Sequence, residues 1–149
     1  AADTSAGFGD QRQGAATPTT AQQDRNLDLI RDMYQRFAQA YQSKDLRGVT
    51  KHLASNWQSS GGDSVIDLED TLGNSFRVFD TIQFQIQGLQ IQKANEKEYR
   101  VSYTANLIGK ISRRNLKHED NASVTDTVTI TPDGPRIAKT AGATMWNKK

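Results

Sequence analysis

Thr81-Ile-Gln-Phe-Gln-Ile-Gln-Gly-Leu-Gln-Ile-Gln92 alternates apolar residues with glutamine, and the alternation slips by one residue at Gly88. A period of two puts Ile82, Phe84 and Ile86 on one face of a strand. Leu89 and Ile91 return to that face only if one extra residue is accommodated, so the slip reads as a β-bulge at Gln87 or Gly88. A bulge bends the strand that carries it. A long bent strand with one apolar side implies a curved sheet wrapped over a core.

The following segment supplies the partner. Tyr99, Val101, Tyr103, Ala105, Leu107 and Ile111 share one parity. With a turn around Asn95, Ile91 falls opposite Tyr99 and Leu89 opposite Val101; past the bulge, Ile86 meets Tyr103 and Phe84 meets Ala105. A turn near Arg113-Arg114-Asn115 leads through a polar stretch into Ser123–Ile130, and Pro132-Asp133-Gly134-Pro135 is a strong turn signal. Across it, Ile130 is expected opposite Ile137, Val128 opposite Lys139 and Asp126 opposite Ala141, with Ala143 and Met145 continuing the inward face. The result is an antiparallel meander.

Upstream the periodicity is helical. Leu27, Ile30, Met33, Tyr34, Phe37 and Tyr41 form one stripe, introduced by a capping pattern at Thr20 and Gln23 or by an N-cap at Asp24. Asp45 caps a short helix that turns Leu46, Val49 and Leu53 inward. Trp57 falls in a segment without clear periodicity that ends at Gly61-Gly62. Asp63 or Ser64 starts a third helix with Val65, Leu68, Leu72 and Phe76 on one side. Helices followed by a curved antiparallel sheet define an α+β domain over residues 21–149. Residues 1–20, rich in Ala, Thr, Gly and Gln with Phe8 as the lone large apolar side chain, read as a flexible low-complexity leader.

Composition narrows the function classes. The 149 residues fit one domain, with 19 Lys and Arg against 17 Asp and Glu for a formal net charge of +2. That balance demands no polyanionic partner, and nucleic acid is disfavoured. The absence of cysteine excludes disulfides, thiolate metal sites and cysteine nucleophiles. No apolar run is long enough to cross a membrane. The small-residue, non-Met start Ala1-Ala2-Asp3 matches what signal-peptide cleavage leaves, so an exported bacterial protein is expected.

The layout resembles the nuclear-transport-factor-2-like superfamily, also called SnoaL-like or cystatin-like α+β cones. The likeness rests on the helix Leu27 to Tyr41, the Lys44-Asp45-Leu46 step, the Asp67-Leu68-Glu69-Asp70 helix before Phe79-Asp80, the long strands and the Asp133-Gly134 hairpin, and it covers residues 24–146. The resemblance implies N-terminal helices packed on a strongly bent antiparallel meander. It also implies a pocket between sheet and helices, and often a dimer contact on the outer sheet surface. Members include isomerases, dehydratases, epoxide hydrolases and polyketide cyclases, as well as transport factors and non-catalytic exported proteins. Neither the isomerase nor the epoxide-hydrolase residue pattern is matched, so no catalytic role carries over.

Asp126 is the residue most suited to chemistry. It has the parity of Val124, Val128 and Ile130 and faces inward, with Val101 opposite and Tyr99 and Tyr103 diagonal to it. Burial raises a carboxyl's proton affinity, and adjacent phenols make it a candidate general base. The competing structural role is an ion pair with Lys139, which has the same expected parity. Tyr34, Phe37, Trp57, Phe76, Tyr99, Tyr103 and Lys139 would line a pocket, or serve as core. Gln83, Gln85, Gln90 and Gln92 form the outer face and offer a homodimer surface. His52 and His118 have too few converging ligands for a metal, and no cofactor motif is present. Lys110, Arg113, Arg114, Lys117 and His118 gather at one turn as a solvated basic prong. The sequence thus favours a non-catalytic exported binding or scaffold module for a small apolar ligand or a protein partner, such as an envelope protein. The alternative is a cofactor-independent lyase, isomerase or hydrolase using Asp126.

Overall fold

A computed structural model describes residues 20–142. The expectations for Phe8, the leader, Ala143 and Met145 lie outside the described residues. Helix α1 (Thr20–Gln42) runs through Asp24, so it starts upstream of that alternative cap. Its stripe is buried as the spacing requires: Ile30, Met33, Tyr34, Phe37 and Tyr41 all enter the core. Helix α2 (Leu46–Thr50) is capped by Asp45, whose carboxylate accepts from Gly48 N. Helix α3 (Val65–Val78) begins at Ser64, where Ser64 and Asp67 cap each other's backbone reciprocally. Leu68 and Leu72 form its buried edge.

Strands β1 (Leu53–Ser59), β2 (Thr81–Lys93), β3 (Glu98–Ile111), β4 (Leu116–Thr131) and β5 (Gly134–Gly142) form a five-stranded sheet in the order β1-β5-β4-β3-β2. The expected antiparallel meander is β2 to β5. The segment holding Trp57 is not irregular: it forms β1, which pairs in parallel with β5 and makes the sheet mixed. Only Leu53, Trp57 and Ser59 are buried along β1, too sparse a pattern to signal a strand. What fixes it is tertiary. Ile137 N donates to His52 O, Ser60 N donates to Thr140 O, and the Trp57 indole donates to Thr140 Oγ1 at 3.0 Å.

The register breaks where Gly88 predicts, between Gln87 and Gln90 on β2, and Gly88 adopts φ +65°. Both flanks keep one inward face, with Ile82 and Phe84 buried and Ile86, Leu89 and Ile91 packed against the core. The pairing itself is displaced by two residues from the expected one. Ile91 lies opposite Val101 and Ile86 opposite Ala105. The turn centres past Asn95, whose side chain accepts from the backbone of Lys97 and Glu98 and pulls the loop one residue further along. Inward parity survives because a two-residue shift preserves it.

A second break, between Thr127 and Val128 on β4 opposite β5, is not legible in the alternation. Ile130 pairs with Pro135, Val128 with Ile137 and Asp126 with Thr140 in place of their expected partners, and Thr127 pairs with Lys139. Ala138 is the extra residue, and it reverses the parity beyond it. Lys139 is therefore exposed on the outer face while Thr140 is buried. Elsewhere Phe79 packs its ring over Gly109, where a Cβ would come within 2.7 Å of it. Lys44 Nζ bonds the Phe79 and Asp80 carbonyls, tying the α3–β2 junction down.

Two open glycines give opposite expectations. Gly73 sits inside α3 with nothing beyond its chain neighbours and its own helix backbone within 4 Å of the place a Cβ would take, and Gly88 is equally open but left-handed. Gly73→Ala should stabilise by about 1 kcal/mol through helix propensity. Gly88→Ala should destabilise by about 1 kcal/mol because an L side chain is strained at that φ. Paired urea denaturation curves check the contrast, and a common sign would contradict the bulge geometry.

Candidate functional site

Three elements bring the chemistry together. α1 supplies Tyr34, β3 supplies Tyr103, and β4 supplies Asp126. Asp126 Oδ2 accepts from Tyr34 Oη at 2.6 Å and from Tyr103 Oη at 2.9 Å. The two rings also meet edge to face at 5.3 Å. Asp126 is 1% exposed, and its Oδ1 is buried without a well-formed hydrogen bond. Thr140, directly opposite on β5, already accepts from Trp57, so its hydroxyl proton is free to favour the Asp126 carboxylate.

Burial dominates the electrostatics. It pushes the Asp126 carboxyl up from 3.8 to about 6, against the pull of hydrogen bonds from Tyr34, Thr140 and Tyr103 toward the ionised form. Burial and the neighbouring carboxylate push the Tyr34 and Tyr103 phenols well above their ordinary range, so both stay protonated donors. The expected Asp126–Lys139 ion pair does not form, because the bulge at Ala138 carries Lys139 outward. Phe37, Trp57 and Tyr99 are core, with Tyr99 Oη accepting from Asn26 Nδ2 at 3.2 Å. Phe76 packs on the core edge, its ring 6.0 Å from that of Tyr41.

Beside this cluster an apolar cleft of about 330 Å³ opens between α1 and the bulged part of β2. It is lined by Tyr34, Ala38, Ile86 and Leu89, with Arg31 and Gln35 among its polar side chains. Tyr34 both lines the cleft and holds Asp126 with its hydroxyl. A larger polar cleft of about 830 Å³ lies on the outer sheet face near Asn56, Gln58, Thr127, Arg136 and Lys139. Gln83, Gln85, Gln90 and Gln92 are all exposed on that outer face. Sequence reasoning missed Thr140 as an inward residue and Ile86, Leu89 and Ala38 as cleft walls. The slip at Gly88 is the one signal that points to the cleft.

His52 is buried, and burial, reinforced by Lys51, Arg136 and Arg36, lowers it from 6.5 to about 4. His118 Nε2 lies 2.8 Å from Asp120 Oδ2 and its ring stacks on Phe79. Among the described residues no three His, Asp or Glu side chains converge on a metal position. No described helix is long and apolar enough to cross a membrane.

The chain has the nuclear-transport-factor-2-like fold, an α+β cone of the cystatin-like kind. No protein-family model matches its sequence, and no curated protein matches it either. Among solved structures it is similar to a protein named for scytalone dehydratase from Novosphingobium aromaticivorans, at 12% identity and TM-score 0.76, covering 85% of this chain and 89% of that one. A nuclear-transport-factor-2-like superfamily protein from Salmonella enterica matches at 8% identity and TM-score 0.69, covering 81% and 92%. A cystatin-like-fold protein, also from Novosphingobium aromaticivorans, matches at 11% identity and TM-score 0.64, covering 89% and 94%. Identities this low speak for fold alone.

Asp126 gives a pH signature. Folding raises its proton affinity, so its contribution to stability is full below about pH 4 and is lost as pH rises through about 6. A carboxyl held near 6 rather than 3.8 corresponds to about 3 kcal/mol of linkage. His52, depressed to about 4, contributes the opposite slope: its stability is present above about 6.5 and lost as pH falls toward 4. The two offset each other in the wild-type profile, so the difference between proteins is the informative quantity. Asp126→Asn, whose amide oxygen can still accept from both tyrosines, should match wild type near pH 4 and exceed it by up to about 3 kcal/mol at about pH 7.5. Chemical denaturation across that range measures it, and a pH-independent difference would refute a titrating buried Asp126.

Proposed function

We propose that the protein is a non-catalytic binding module whose ligand is a small apolar molecule held in the cleft between α1 and β2. The observation that carries this reading is the cleft itself: about 330 Å³ of space walled by Tyr34, Ala38, Ile86 and Leu89 where the Gly88 bulge turns β2. That size and lining suit a small ligand with an apolar body, and Arg31 and Gln35 suit one polar end. The Tyr34–Asp126–Tyr103 cluster supports the wall from behind. With 1% exposure and one oxygen taken by two phenols, Asp126 suits holding α1 on the sheet rather than meeting a substrate.

Anilinonaphthalene sulfonate, an apolar dye with one anionic end, is a direct probe. The wild-type protein should bind it with a fluorescence rise. Ala38→Trp, which fills the cleft from α1, should weaken binding about tenfold or more, or by at least about 1.4 kcal/mol. A far-ultraviolet circular dichroism spectrum and a cooperative urea transition like those of wild type confirm that the dye reports the cleft and not loosened packing. Unchanged dye affinity in Ala38→Trp would remove the cleft as the site.

A second reading, acid–base catalysis through Asp126, is favoured by its carboxyl near 6 and by an Oδ1 that neither tyrosine takes. Turnover of any small substrate that vanished in Asp126→Asn and persisted in Ala38→Trp would replace the binding reading with this one.

The same proposal puts pairing between two copies on the outer sheet face. Gln83, Gln85, Gln90 and Gln92 are exposed there and offer hydrogen bonds without charge. Replacing Gln83 and Gln85 with lysine should convert a dimer to a monomer by light scattering. An unchanged mass would make that face a solvated one.

A further inference from the structure

One end of the molecule concentrates positive charge beyond what folding requires. The β3–β4 hairpin closes through a 3-10 turn at Ser112–Arg114, with Asn115 in the left-handed region at φ +53°. Lys110 and Lys117 lie directly opposite each other across the hairpin. Like charges in that position are destabilising. Arg113 and Arg114 occupy the turn between them and are exposed. The backbone folds the end of α3 against this tip: Asp80 N donates to Lys110 O, and Asp80 Oδ2 accepts from Ser112 N. Lys44, bonded to the Phe79 and Asp80 carbonyls, and Arg77, near the end of α3, join the same region.

The acidic residues there are already engaged. Asp80 is held ionised by Ser112 N, Glu119 lies 3.6 Å from Lys117 and accepts from Asn106, and Asp120 faces His118. The side chains of Lys110 and Arg114 hold no hydrogen bond or ion pair among the described residues. Six cations, Lys44, Arg77, Lys110, Arg113, Arg114 and Lys117, against three carboxylates, Asp80, Glu119 and Asp120, leave this end at +3, more than the chain's overall +2.

Charge alone would suit any polyanion. Two large apolar side chains at the same end decide among them: Leu116 is 51% exposed at the first position of β4, and Val78 is 54% exposed at the last position of α3. A single-stranded nucleic acid would want exposed aromatic platforms, whereas Phe79 is spent on Gly109 and His118, and a duplex, held through its phosphates, would make no use of exposed aliphatic groups. Lys110 and Lys117 stand on one face of the hairpin and Leu116, opposite Ile111, on the other, with Arg113 and Arg114 at the tip between them. A tip entering end-on matches the interface of an anionic bilayer, where the cations meet headgroups and the aliphatic groups reach the acyl boundary.

We propose that this end, the Lys110–Lys117 hairpin with the close of α3, is a docking prong for membrane surfaces bearing anionic lipid headgroups. This inference is independent of the α1–β2 cleft, and dye binding there should be the same in the variants below.

Flotation of the full chain with vesicles tests it. The protein should float with vesicles of phosphatidylcholine mixed with phosphatidylserine, remain behind with phosphatidylcholine alone, and release as salt is raised. Neutralising Arg113 and Arg114 together to glutamine should weaken binding about 25-fold, at about fivefold for each cation near the surface. Leu116→Ser should weaken it about tenfold or more through lost burial. All three positions are exposed, so thermal midpoints should stay at the wild-type value. Absence of binding to the mixed vesicles, equal binding to both vesicle types, or variants that bind like wild type would overturn the proposal. Tighter binding to inorganic polyphosphate or to duplex DNA than to vesicles, unaffected by Leu116→Ser, would also overturn it and assign the prong to phosphates.

Discussion

A sheet that must bend over one helix while keeping a single apolar face has to break its own register, and the rest of this structure follows from where it does so. Side chains alternate along a strand, so bending without a break would leave gaps under the curve, and a break without compensation would send the apolar set outward. From β2 to β5 the described residues hold two single-residue breaks. At Gly88 the extra residue is left-handed and exposed, and the apolar face resumes beyond it. At Ala138 the break does the reverse: it turns a charged residue, Lys139, out and brings a hydroxyl, Thr140, in.

That second break sets the chemistry of the interior. With Lys139 inside, Asp126 would have had a cation and a low proton affinity. With Thr140 and two phenols as neighbours instead, it has hydrogen bonds without countercharge, and burial prevails. The carboxyl then joins α1, β3 and β4 through Tyr34 and Tyr103, a polar contact in a core rich in aromatic edges such as Tyr41 on Phe84 at 4.3 Å. Such a network specifies how the helix sits on the sheet, because a rotated α1 would take the Tyr34 donor away from the carboxylate.

Much of this is legible in the residues. The α1 stripe, the Asp45 and Ser64 caps, the bulge at Gly88 and the inward parity of Asp126 all follow from local patterns that the structure repeats. The illegible parts have a common cause. β1 carries one large aromatic side chain and is a strand only because β5 lies alongside it. The Ala138 bulge replaces alternation with Ile137-Ala-Lys-Thr140, where no glycine or gap marks the slip. The two-residue displacement between β2 and β3 comes from an Asn95 side chain that reaches past its own turn. In each case the deciding partner lies on another strand or in another residue's side chain, beyond what periodicity records.

Strand β2 pairs with β3 on one side and, among the described residues, with no strand on the other. A long free edge reading Ile-Gln-Phe-Gln-Ile-Gln, rich in β-forming residues and without charge, has the character of segments that recruit copies of themselves into stacked fibrils. The left-handed residue at Gly88 interrupts that edge near its middle, so a second identical strand could not continue its hydrogen bonding past the kink. The feature that curves the sheet also limits how far one molecule can template another.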